Sequence, residues 1–261
     1  MLKYVQYNQE MMGETIIAIP ALGERKEIFE ALAENLREFR FLAIDLPGHN
    51  NHTNHEDFSI EKYVADINNL LDNLSVLKAH FIGNSIGAWV IQKYYKNYPE
   101  SVLSLTLMDG GYYFIGDYGE IEIGEIELPI IEKLEDLREA IEHQVDSMDK
   151  LPSASKKLFE TYLLKNFIRK DGVYVHHSNV NAPNTLSKAV VETNFCIQQI
   201  KEFPILLLLA DQEKDNMGKV NSFLLSNHYA RVERIPDSYH FLPITNANEV
   251  GRHFREFVLL S

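Results

Sequence analysis

Gly83-Asn84-Ser85-Ile86-Gly87 lies between an apolar run at Ala79–Ile82, which has the length of a strand, and Ala88–Tyr98, which has the spacing of a helix. A serine held on a sharp strand-to-helix turn projects its hydroxyl away from the backbone. Glycines on either side remove the Cβ atoms that would collide where the two elements cross. This context makes Ser85 the candidate nucleophile.

On both sides of this turn the chain alternates between strand-like and helix-like segments. Upstream, Thr15–Ile19 is a short apolar run ending at Pro20, and Arg25–Phe39 has Ile28, Leu32 and Leu36 at helical spacing. Phe41–Ile44 is strand-like and runs into Asp45-Leu46-Pro47-Gly48, a turn signal. Ile60, Val64, Ile67, Leu71 and Leu74 fall on one helical face, with Ser59 placed to cap its start. Downstream come strands at Val102–Met108 and Ile205–Leu209, a helical stretch near Val220–Leu225, an alternating run at Ala230–Ile235 and a closing helix at Asn246–Leu260. Continuous apolar strands alternating with helices predict an α/β fold, a mostly parallel sheet with helices on both faces. Ligands of such sheets bind beyond the carboxyl ends of the strands, where Ser85 falls.

The rhythm breaks between about residues 111 and 201. This stretch opens with an acidic segment (Glu120, Glu122, Glu125, Glu127), continues through helix-like Ile131–Val145 and Lys156–Phe167, and has a hairpin signal at Lys170-Asp171-Gly172. It reads as a mostly helical cap inserted into a core formed by residues 1–110 and 202–261. Its expected role is to cover the strand ends, exclude water and shape a pocket. The aromatic cluster Tyr112-Tyr113-Phe114 at its entrance is a candidate pocket lining, whereas Trp89, Tyr94 and Tyr95 read as helix packing.

Composition bounds the partners. With 261 residues and 45% hydrophobic content, the chain can fill a sizeable core. A formal net charge of −13 repels phosphate backbones and anionic head groups, which argues against nucleic acid and membrane surfaces. Cys196 is the single cysteine, so neither an internal disulfide nor a thiolate metal cluster can form. No apolar run reaches a membrane-spanning length, and the N-terminal residues lack the apolar stretch of a signal peptide. Cytoplasm is the expected compartment, and self-association is left open. His49, His52 and His55, followed by Glu56 and Asp57, have metal-ligand residue types but occupy a loop without helical geometry, and read as a solvated polar segment. No phosphate-loop or dinucleotide glycine motif occurs, so no cofactor is expected.

A serine hydroxyl needs a neighbouring base, and an imidazole has the right acidity for the task. Among the ten histidines, His240 follows a strand and a small polar turn, at the sheet end that Ser85 occupies. Three segments together resemble the α/β-hydrolase fold family across essentially the whole chain. Asp45-Leu46-Pro47-Gly48-His49 resembles its loop after the fourth strand, His80–Gly87 its nucleophile elbow, and Ile235–Pro243 the tail that carries its histidine.

The lidded subgroup of esterases and related enzymes looks closest. The resemblance implies a serine hydrolase with Ser85 as nucleophile, His240 as base and an acid after the Ile205–Leu209 strand. Three carboxylates are in range there. The family's commonest spacing points to Glu213, a shorter variant to Asp211, and the wording of the loop end to Asp215. Asp211 is the first choice and Asp215 the alternative. Asp109, after the preceding strand, is a fourth candidate.

The resemblance also implies an oxyanion hole made by the backbone N–H groups of Ile86 and Leu22. Here the sequence departs from the family, which usually has His-Gly where this chain has Pro20-Ala21. Ala21 would be strained if its position required a positive φ. The expected substrate is a small ester, thioester or related acyl compound. The alternative is a hydrolase-like scaffold that binds a ligand with little or no turnover.

Overall fold

The computed structural model describes residues 2–50, 57–118, 124–198, 202–211 and 216–260. Its central sheet has seven strands: β1 (Tyr4–Tyr7), β2 (Thr15–Ile19), β3 (Arg40–Ile44), β4 (Ala79–Asn84) and β5 (Val102–Met108), then, after a long insert, β9 (Ile205–Ala210) and β10 (Arg231–Ile235). Their spatial order is β1-β3-β2-β4-β5-β9-β10, with every pairing parallel except that of β1 with β3. The apolar runs read as strands in the sequence are all strands in this sheet. The edge strand β1 was not anticipated; four residues with no continuous apolar run carry little local signal, and the antiparallel pairing of Tyr4 with Ile44 is non-local.

Every residue of β2, β4 and β9 is buried, as expected for strands covered on both faces. Alternate side chains feed two cores. Ile17, Ile19, Phe81, Leu105 and Leu207 join the first, together with α2 (Ile60–Asn73), α3 (Ile86–Asn97) and α7 (Met217–Ser226). Ile16, Ala18, Ile82, Met108 and Leu208 join the second with α1 (Glu30–Asn35), α8 (Leu242–Thr245) and α9 (Ala247–Leu260). Ser59 caps α2, its side chain accepting the Lys62 N–H at 3.3 Å. The helix expected over residues 25–39 is shorter. A 3-10 turn at Lys26–Phe29 precedes α1, because Lys26 is held by Asp45, whose carboxylate takes both its backbone N–H and its ammonium at 2.8 Å.

The insert between β5 and β9 holds helices α4 (Leu134–Asp146), α5 (Ser153–Leu164) and α6 (Asn181–Glu192). It also holds a small antiparallel sheet of β6 (Ile130–Ile131), β7 (Phe167–Lys170) and β8 (Val173–His176). The hairpin signal corresponds to the β7–β8 turn, where Asp171 and Gly172 both have positive φ. Insert residues enter both cores, Leu186 and Val190 the first and Leu137, Ile141 and Phe159 the second. The insert is therefore packed into the same apolar interior as the sheet.

Candidate active site

Ser85 directly follows β4 with φ 51° and ψ −119°, a positive-φ conformation that is costly for a residue with a Cβ. Its neighbours make room for it. A Cβ on Gly87 would lie 2.3 Å from the Ile19 carbonyl oxygen, and one on Gly83 would lie 2.4 Å from the Gly87 backbone. The turn is anchored by the Ser85 N–H, which donates to the Met108 carbonyl at 2.8 Å. Gly87→Ala is expected to destabilise the fold by about 1–3 kcal/mol through overpacking against a rigid strand. Urea denaturation midpoints of the two proteins measure it.

His240 lies in the loop after β10. Its Nδ1 is 2.6 Å from Oδ2 of Asp109, a short charge-assisted contact to a side chain that is 1% exposed. The other Asp109 oxygen accepts the Ala210 N–H at 3.1 Å, so both carboxylate oxygens are engaged. Asp109 itself has φ 48° and directly follows β5. The close approach continues at the next residue, since a Cβ on Gly110 would sit 2.5 Å from the Ser85 carbonyl oxygen. On the far side, the Asn84 amide donates to the His240 carbonyl at 3.3 Å, tying the histidine loop to the residue before the serine.

The carboxylate on the His240 ring is therefore that of Asp109, the fourth candidate, and not that of the first choice, Asp211. The Asp211 backbone N–H donates to Ser238 Oγ at 2.9 Å, and its carboxylate meets Lys150 Nζ of the insert at 3.1 Å. The reason is topological. β5 pairs directly with the serine strand β4, whereas β9 is one strand further away. The alternatives Glu213 and Asp215 lie outside the described residues.

Leu22 lies in the turn after β2 and Ile86 opens α3, whose first-turn N–H groups have no partners within the helix. The concern over Ala21 does not materialise, because the left-handed residue of this turn is Gly23, with φ 80°. The turn is held from several directions. The Gly23 N–H donates to His49 Nε2 at 2.9 Å, and the Tyr162 hydroxyl accepts the Arg25 N–H at 2.8 Å. His49, expected in a solvated segment, is fully buried; His52, His55 and Glu56 lie outside the described residues.

Burial lowers His49 to about 4 and, together with the neighbouring His176 and His49, lowers His177 to about 2, so both rings are neutral near pH 7. Glu24, buried in the same turn, is raised by desolvation, and the Asn166 amide, which donates to its carboxylate at 3.4 Å, offsets part of that rise. These contributions of His49, His177 and Tyr162 were not anticipated, since each acts across a long sequence separation.

Of the aromatic residues, Tyr112 is buried, while the Tyr113 ring packs edge-on against Trp89 and its backbone carbonyl accepts the Trp89 indole N–H at 3.1 Å. Trp89 and Tyr94 are buried in helix packing, as read. Among the described residues no helix is long and apolar enough to cross a membrane.

Comparison with known proteins places this geometry in a family. A model of the alpha/beta hydrolase fold matches residues 14–247. A serine hydrolase-like protein of Danio rerio is 23% identical over 269 aligned residues, covering 92% of this chain and 76% of that protein. Among solved structures, an E-2-(acetamidomethylene)succinate hydrolase superposes with a TM-score of 0.78 at 15% identity, covering 98% of this chain and 94% of that one. A marine microorganism esterase superposes with a TM-score of 0.68 at 20% identity, covering 98% of both chains. With the serine on its strand-to-helix elbow and nearly the whole length matched, the chain belongs to the α/β-hydrolase fold family.

Proposed function

We propose that this protein is a serine hydrolase that cleaves a small ester, thioester or related acyl compound through Ser85, His240 and Asp109. The observation that carries the reading is the 2.6 Å contact between His240 Nδ1 and a buried Asp109 carboxylate. A carboxylate at Nδ1 fixes the tautomer in which Nδ1 bears the proton, leaving Nε2 as the free base. Ser85 Oγ then attacks the acyl carbon while its proton passes to Nε2. The Asp109 charge stabilises the imidazolium so formed. The N–H groups of Leu22 and Ile86 receive the oxyanion, and collapse of the adduct expels the alcohol or thiol, which takes the proton back from Nε2. Water repeats the sequence on the acyl-enzyme.

The same contact favours turnover over a scaffold that only binds a ligand. A buried carboxylate aimed at a histidine serves proton transfer, and binding alone does not require it. The side chains of this machinery supply a nucleophile and a base without a metal or organic group. The acidic surface favours uncharged or weakly polar substrates over anionic ones.

The test is a fluorophosphonate probe followed by peptide mapping. The expected result is a single adduct on Ser85 in the folded protein, absent after heat denaturation, together with steady hydrolysis of p-nitrophenyl acetate. Folded protein that carries no label on Ser85 and leaves the ester intact overturns the reading.

A further inference from the structure

The turn after β2 is gripped from both sides by two histidines that the catalytic scheme does not use. His49, from the turn after β3, accepts the Gly23 N–H at Nε2 (2.9 Å) while its Nδ1 lies 3.0 Å from the Pro47 carbonyl. His177, at the end of β8 in the insert, lies with Nε2 3.0 Å from the Gly23 carbonyl and accepts the Asn50 N–H at Nδ1 (2.8 Å). These partners assign one tautomer to each ring: Nδ1–H on His49 and Nε2–H on His177. The two rings stand 5.9 Å apart. Between them they hold both polar groups of Gly23, and Gly23 has the only positive φ among residues 20–26.

A second insert contact reinforces the grip. The Tyr162 hydroxyl accepts the Arg25 N–H at 2.8 Å and donates to the Arg25 carbonyl at 3.2 Å, while Asn166 Oδ1 receives the Arg25 guanidinium at 2.9 Å.

We propose that His49 and His177 are positioning residues: by holding the Leu22–Gly23 and Gly23–Glu24 peptides they fix the backbone directly after the Ala21–Leu22 peptide, so that the insert sets the aim of the Leu22 N–H at the reacting carbonyl. The inference rests on the serine-hydrolase reading and extends it: the hole is completed by the insert and not by the turn alone. The chemistry explains why imidazoles serve here. A neutral imidazole offers one donor and one acceptor on a rigid plane, so a single ring can bridge two backbone segments. His49 bridges Pro47 to Gly23 within the core, and His177 bridges Asn50 to Gly23 from the insert. Without the His-Gly sequence common in the family, Pro20-Ala21 leaves the turn to be fixed from outside.

The experiment compares wild type with His177→Phe, His177→Gln and Tyr162→Phe, using p-nitrophenyl acetate kinetics and the rate of fluorophosphonate labelling. Phe retains ring volume and loses both polar atoms; Gln keeps an amide donor near the place of Nε2. A misplaced donor of this kind is expected to lower kcat by about 10–10²-fold with KM within about twofold, and to slow labelling in parallel. His177→Gln is expected to recover most of the loss, and Tyr162→Phe to show a smaller decrease of the same kind.

Should His177→Phe fail to fold, Tyr162→Phe decides, because His177→Gln is expected to stay near wild type. Unchanged kcat in the folded variants, a Gln variant as impaired as Phe, or a rise in KM at constant kcat overturns the inference while leaving the hydrolase reading intact. Wild-type protein that neither labels nor turns over overturns both.

Discussion

Asp109→Asn is expected to lower kcat/KM for p-nitrophenyl acetate by about 10⁴-fold while leaving the protein folded. An asparagine of the same shape retains an oxygen for the Ala210 N–H, which Asp109 now accepts at 3.1 Å. Its amide, however, presents N–H groups to His240 Nδ1. The ring answers by moving its proton to Nε2, the nitrogen that must accept from Ser85, and the base is lost. The charge that would stabilise the imidazolium is lost with it.

The matched control is Asp211→Asn. That carboxylate meets Lys150 and not His240, so its kcat/KM is expected to stay near that of wild type. Steady-state kinetics on the two variants separate the candidates. The reverse ranking would move the acid back to the end of β9.

The second large effect is a loss of stability on mild acidification. His49 and His177 have folded-state values of about 4 and about 2, below the ordinary 6.5. A depressed value means that the unfolded chain takes up protons first as pH falls. The full stability is therefore present above about pH 6.5 and drains away below it. At pH 5 the two buried rings together remove about 4 kcal/mol relative to neutral pH. Groups facing them are His176, itself lowered to about 4, and Arg25, both of which disfavour a further positive charge.

Two effects oppose this. Acid reduces the self-repulsion of a chain with net charge −13, and Glu24, raised by burial, gains stability as it protonates. Both are shared by a His177→Gln variant, which lacks one titrating ring. Thermal melts at pH 7.5 and pH 5 are therefore expected to show a larger drop in Tm for wild type than for the variant. Equal drops would mean that the His177 ring does not resist protonation.

Much of this was legible in the sequence for local reasons. The serine elbow announces itself within five residues, because the glycines, the preceding apolar strand and the following helix are contiguous. The sheet is equally plain, since strands buried on both faces are written as unbroken apolar runs. Asp109 was harder. It follows a strand just as Asp211 does, and nothing within a few residues of either shows which strand neighbours β4. That information is in the strand order, which sequence spacing does not encode. His177 and Tyr162 are harder still. Their partners are 127 to 154 and 137 positions away, and in the sequence a lone histidine or tyrosine in an insert reads as ordinary packing.

The grip on Gly23 limits how far these proteins can be recombined. Under the proposed reading, a chimera that grafts a foreign insert onto this sheet would keep Ser85, His240 and Asp109, yet lose the His177 ring and the Tyr162 hydroxyl that hold the turn after β2. Modular exchange of caps to change substrate preference would then give sluggish hybrids unless positions 162 and 177 travel with the recipient scaffold. On that reading the insert and the Gly23 turn form one engineering unit.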